Sequence, residues 1–143
     1  MTINEALIAV LKKSFNDCWS RETSSDPEHW TPENPSWGHC AVAELVAQAV
    51  LGGDLLRYDL SGTPFAAMGS HYKLRLHDGT ILDFTDAQFG GHSIAWGEPK
   101  VRTRKELLDP AKNPRNQGTL DRYNLFRGRV KAWLDSFREE ARK

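Results

Sequence analysis

From Tyr72 to Phe84 the sequence alternates: Tyr72, Leu74 and Leu76 precede His77-Asp78-Gly79, and Leu82 and Phe84 follow it. A period of two marks strands with one buried face, and two such runs about a glycine-bearing turn make a hairpin. The turn sets the register, and a slip of one residue sends a whole strand's side chains to the other face. A two-residue Asp78-Gly79 turn pairs His77 with Thr80 and puts Asp83 on the face opposite His71. A three-residue loop, with Gly79 in a left-handed conformation, instead pairs Leu76 with Thr80, Leu74 with Leu82 and Tyr72 with Phe84. Only this loop gathers all the apolar residues on one face. Burying each large side chain is worth roughly 1.5 to 3 kcal/mol, so the pattern selects the longer turn. His71 then stands opposite Thr85 with Asp83 as its diagonal neighbour, ~7 to 8 Å away between backbones and within side-chain reach.

Other segments read less sharply. Thr2 and Glu5 form a capping box for a helix running to about Trp19, with Ile3, Leu7, Val10, Leu11, Ser14 and Cys18 on one face. Ser20 to Trp37 keeps no period but carries Trp30 and Trp37. Long loops in compact domains are often functional, and this one is expected to pack beside a site. Val42, Leu45, Val46, Ala49 and Val50 fall at helical spacing and Gly52-Gly53 ends the run, so Cys40 opens a second helix. Leu56, Tyr58 and Leu60 alternate as a strand. Ser93 to Trp96 reads as a further strand, Arg104 to Leu108 as a short helix ended by Pro110, and Lys112 to Gly118 as a loop. Thr119 is expected to cap a last helix whose Leu120, Tyr123, Phe126, Val130, Trp133, Leu134 and Phe137 cover the sheet. With 143 residues, 39% of them hydrophobic, the chain can fill one core. The expectation is a single α+β domain over residues 1–143, an antiparallel sheet packed against an N-terminal helix, a Cys-bearing central helix and a long C-terminal helix.

Composition narrows the function classes. No apolar run approaches the ~18 residues that cross a bilayer and the start lacks a secretion signal, so the expectation is a soluble, cytoplasmic chain without a membrane partner. Two cysteines are too few for a disulfide scaffold or a four-thiolate zinc site. His39, Cys40, His71, Asp83 and His92 lack the paired spacing that anchors a metal, and no glycine-rich phosphate loop follows a strand, so no metal and no cofactor is expected. Of 19 basic and 19 acidic residues, residues 1–98 hold 6 and 13 respectively. The basic remainder, with Arg122, Arg127, Arg129 and Lys131, is expected mainly to be the solvated face of a helix, and nucleic-acid association is a weak third reading.

Chemistry is suggested by Cys40, His71 and Asp83 together. A carboxylate on one ring nitrogen fixes the tautomer of a histidine and leaves the other nitrogen for a nucleophile. The amino end of a helix offers free N–H groups and the positive end of its dipole, which favour a thiolate at Cys40 and can stabilise an oxyanion. Gly38 permits close backbone approach in the turn that presents the sulfur. Alone, each residue has a plainer reading: Cys40 as core filler, His71 as a structural histidine, Asp83 as a partner of Lys73 or Arg75. Cys18 reads as core. Trp37, Gly38, His39 and Trp30 are the candidate substrate-binding positions.

Asn34-Pro35-Ser36-Trp37-Gly38-His39-Cys40-Ala41-Val42-Ala43, Gly52-Gly53, Ser70-His71-Tyr72, Asp83-Phe84-Thr85 and Gln88-Phe89 together resemble the YunG-like family of small bacterial proteins. More distantly, a Cys at a helix start, a His in a strand and an Asp in the next resemble the transglutaminase-like and arylamine N-acetyltransferase branch of papain-like folds. That resemblance implies a papain-like core in which Cys40 attacks an amide or ester carbonyl, His71 shuttles the proton and Asp83 orients His71. Where the YunG-like pattern implies Gln before the cysteine, this chain has His39, which leaves backbone donors for an oxyanion. Two functions are carried forward: a cysteine hydrolase or acyltransferase acting on a peptide or small acyl substrate through a Cys40 thioester, and a non-enzymatic peptide- or ligand-binding module.

Overall fold

The computed structural model describes residues 2–143. Its elements in chain order are α1 (Ile3–Cys18), α2 (Cys40–Leu51), β1 (Asp54–Asp59), β2 (Ser70–Arg75), β3 (Ile81–Leu82), β4 (Lys100–Arg102), α3 (Arg104–Leu108) and α4 (Asn116–Arg142). The sheet runs β3-β2-β1-β4, each pair antiparallel. This is the expected α+β arrangement of one antiparallel sheet and packed helices.

The hairpin takes the three-residue loop. Leu74 pairs with Leu82 and Arg75 with Ile81, the Leu76 N–H donates to Thr80 O at 2.8 Å, and Gly79 has φ of 90°. Regular pairing stops at Leu82, so the ladder anticipated out to Tyr72 and Phe84 is cut short and the chain bends at Asp83. Leu74, Leu76 and Leu55 turn to the core with Tyr72, Leu82 and Phe84 at its edge, and there they meet Val42, Leu45 and Val46 of α2. The opposite face carries Tyr58, paired with His71, beneath Phe89 and Trp96.

The helices depart from expectation in instructive ways. Thr2 and Glu5 do cap α1, and Leu11, Ser14, Phe15 and Cys18 are buried, but Ile3 and Leu7 are exposed because the first turns extend past the core. Thr119 lies inside α4, which begins at Asn116, whose amide donates to Glu106 O and Asp109 O at 2.8 and 2.9 Å and ties the helix start to α3. Instead of covering the sheet, α4 lies on the outer side of α1 and α2, with Phe126 fully buried between Phe15 and Trp19. The strand anticipated at Ser93 to Trp96 does not form. Trp96 folds over His71, and the edge strand beside β1 is β4.

The face assignment can be checked by stability. Leu74 is completely buried and Ile81, across the hairpin, is half exposed. Leu74→Ala should cost about 2 to 5 kcal/mol in chemical denaturation and Ile81→Ala under ~1 kcal/mol. Equal losses would mean the register is wrong.

Candidate active site

Cys40 opens α2, where the helix axis puts unpaired amides and a positive dipole end next to the sulfur. His39 precedes it without a side-chain cap, so no side chain among the described residues competes for those amides through the cap position. The conformation of the turn before it is forced. Gly38 has φ of 76°, and a Cβ there would collide with Ser24 Oγ, so the loop of residues 20–37 closes directly onto the glycine. The Ser25 N–H donates to Gly38 O at 2.9 Å and Ser24 Oγ donates to Trp37 O at 2.7 Å. Cys40 is only 8% exposed, yet it lines a cavity of about 550 Å³ together with Trp37, Phe65, Met68, Asp26 and His29. Cys40 is therefore buried yet part of the cavity wall.

His71 Nε2 lies 2.7 Å from Asp83 Oδ2. Burial of the ring opposes its charged form, but Asp83 and Cys40 outweigh that and push His71 up to about 9. The nitrogen left for Cys40 is Nδ1, which is buried and has no fully formed hydrogen bond. Sulfur and imidazole thus influence each other without the close, aligned contact that substrate binding often completes. Trp96 stacks on the outer face of His71 with ring centres 5.2 Å apart, and Lys73 Nζ sits 3.9 Å over the same indole. Contacts with the imidazole and with the Lys73 ammonium hold Trp96 as a cover over the ring.

Gln88, present in the motif pattern but given no role by the sequence, ties the halves of the site together. Its Oε1 accepts the Gly38 N–H at 3.2 Å, and its Nε2 donates to Thr85 Oγ1 at 2.9 Å. The Thr85 N–H in turn donates to Asp83 Oδ1 at 3.1 Å. One buried chain of hydrogen bonds therefore runs from the loop before Cys40 to the carboxylate that holds His71. Asn34 Nδ2 adds a bond to Gln88 O at 2.9 Å. The signal in the sequence was the spacing of Thr85 and Gln88, three apart in a turn, but it names no partner.

Of the four expected substrate-binding positions, Trp37 alone lines the cavity. His39 must be corrected: it is fully buried, donates from Nδ1 to Trp37 O at 3.0 Å, and has Nε2 2.7 Å from Thr23 Oγ1. Burial lowers it to about 4, so it is a neutral structural ring packed on Trp19. Trp30 donates to Pro35 O at 2.8 Å and holds the loop under Arg21, and the Gly38 amide is spent on Gln88. Among the described residues no group of His, Cys, Asp and Glu is arranged to hold a metal, and no helix is long and apolar enough to cross a membrane. The basic side chains of α4 are partly engaged within the chain, Arg129 with Ser20 at 2.6 Å and Lys131 with Asp135 at 3.2 Å.

The family model described as YunG protein matches residues 7–135. The chain belongs to the YunG family. A similar relative, the "Uncharacterized protein YunG" of Bacillus subtilis (strain 168), is 35% identical over 80 residues, covering 56% of this chain and 57% of that protein. The chain thus aligns with little more than half the length of that relative, and no solved structure matches it.

One buried group went unnoticed in the sequence. Glu44 lies one helical turn after Cys40, on the same side of α2, fully buried and with neither carboxyl oxygen hydrogen-bonded. Burial, then the charges of Asp83 and Cys40, hold it well above the usual carboxylate range. In the unfolded chain Glu44 ionises near 4.5, whereas the folded protein keeps the proton. Unfolding therefore releases a proton above that pH, and stability falls as pH rises. Glu44→Gln removes this loss. Its stability gain over wild type should be small at pH 4 and grow from pH 5 to 8, by at most about tenfold in the folding equilibrium per pH unit. His71 also loses stabilisation between its ordinary 6.5 and about 9, but does so in both proteins, so their difference isolates Glu44. A gain independent of pH would show that Glu44 is already ionised in the folded state.

Proposed function

We propose that this protein is a cysteine-dependent hydrolase or acyltransferase acting on an amide, peptide or small acyl substrate. What carries the reading is one juxtaposition: a cavity-lining cysteine at a helix start beside a buried histidine whose far nitrogen is held 2.7 Å from a carboxylate. With the Cys40 proton held by His71, the thiolate sulfur attacks the carbonyl carbon, the C=O electron pair moves to oxygen, and the first amides of α2 are suited to receive the oxyanion. As the tetrahedral intermediate collapses, the C–N or C–O bond breaks, His71 donates its proton to the leaving amine or alcohol, and a Cys40 thioester remains. His71 then takes a proton from water or an acceptor amine, which adds to the thioester and releases Cys40. Asp83 keeps the ring oriented throughout.

A papain-like core is part of the same proposal. Its support is the chain order of Cys40 at a helix start, His71 in a strand and Asp83 after the next strand, with Gln88 joining the two sides. The second reading, a peptide- or ligand-binding module, draws support from the cavity itself, which needs no thiol to bind. It predicts that Cys40→Ser leaves ligand binding and cellular function intact.

The two cysteines provide an internal control. Burial pushes the Cys18 thiol up, and its side chain faces the core beside Ser14. Iodoacetamide near neutral pH should alkylate Cys40 at least about tenfold faster than Cys18, and His71→Ala should slow Cys40 by about ten- to a hundredfold. Equally slow labelling of both thiols, read by peptide mass mapping, would remove the catalytic reading.

A further inference from the structure

The cavity beside Cys40 has an uneven chemistry. Trp37, Phe65 and Met68 give it an apolar wall, and Asp26 places a carboxylate on the same lining. That carboxylate is fixed in direction: Trp37 Nε1 donates to Oδ2 at 3.0 Å, and His29 Nδ1 lies 2.9 and 3.0 Å from its two oxygens. Partial burial opposes ionisation of Asp26, but the donors from His29 and Trp37 outweigh it and hold the carboxyl below its usual range.

Charge balance in the cavity is incomplete. Among the described residues no Lys or Arg lines it, and the one basic ring there is His29, whose side chain is 72% exposed. An imidazole that far out in water is a weak and displaceable counter-charge. A fixed carboxylate next to an aromatic wall suits a small organic cation, which gains from the carboxylate and from the face of the indole together.

We propose that the cavity selects substrates bearing a cationic group, an ammonium or guanidinium, close to the carbonyl presented to Cys40, with Asp26 as the residue that reads the charge. The assignment of a carbonyl rests on the Cys40 reading, but the cation preference does not.

The test uses three alkylating reagents of similar size, (2-bromoethyl)trimethylammonium, iodoacetamide and iodoacetate, each rate at Cys40 divided by its rate on the unfolded chain. Asp26→Asn keeps an oxygen for the Trp37 indole while removing the charge. It should lower the cation-to-anion ratio by about three- to fivefold, the size expected of a part-exposed ion pair, and added salt should shrink the wild-type preference. His29→Ala, which removes the competing partner, should raise the ratio. A ratio unchanged in Asp26→Asn overturns the proposal. If Cys40 reacts no faster than Cys18 with any reagent, the catalytic reading fails and a second measurement decides the cation preference. The NMR signal of the Trp37 indole N–H is followed during titration with hexylammonium, hexanol and hexanoate. A saturable shift confined to hexylammonium and lost in Asp26→Asn supports the proposal, and equal or absent responses to all three overturn it.

Discussion

The buried contact between His71 and Asp83 is the constraint on which the site depends. A histidine with no exposure loses solvation for its charge, and it keeps a proton near neutral pH because Asp83 lies against one nitrogen and Cys40 adds to its pull. Asp83 is the residue just after the next strand of a hairpin, so the protonation of the ring is a consequence of strand register. Gly79 and the alternating leucines, which make no contact with substrate in any reading, thereby set the chemistry of the ring.

The other half of the site is fixed differently. Cys40 comes from a loop-to-helix turn whose shape depends on close backbone packing, with Gly38 against Ser24 and the Gly38 N–H spent on Gln88. The sheet and this turn are separate pieces of chain joined through Gln88 and Thr85. A polar network inside a low-dielectric interior is rigid when every member is satisfied and costly when one is not. Most of this one is satisfied; among the described residues the buried side-chain atoms without a partner are Ser14 Oγ, Ser36 Oγ, both carboxyl oxygens of Glu44 and His71 Nδ1, and of these Glu44 and His71 feel the charge of Cys40.

The hairpin, α1 and α2 were legible in the sequence because each carries a strong period and its own stop: Thr2 and Glu5 at one start, Gly52-Gly53 at one end, Gly79 at the turn. The proximity of His71 and Asp83 was legible for the same reason. The rest depended on contacts no local pattern encodes. His39 beside Cys40 looks like a site residue, but Trp19 and Thr23 supply a buried pocket for its ring from elsewhere in the chain. Ser93 to Trp96 has strand composition, yet stacking of Trp96 on His71 and Lys73 outweighs it. The start of α4 is set by Asn116 reaching back to α3, and Thr119 gave the more conventional capping signal. Glu44 was missed because a charged residue in a helix reads as exposed until the neighbouring strand is in place.

The cover over His71 gives the protein an optical property of its own. A positively charged imidazole accepts an electron from excited indole and darkens its emission, and a neutral one does so far less. Trp96 stacks on a ring that stays charged up to about pH 9, whereas Trp19 rests on His39, which is neutral above about pH 4. Across the intervening range His71 should dim Trp96 more than His39 dims Trp19. Alkaline recovery of emission that disappears in Trp96→Phe would read out the His71 proton without any substrate present.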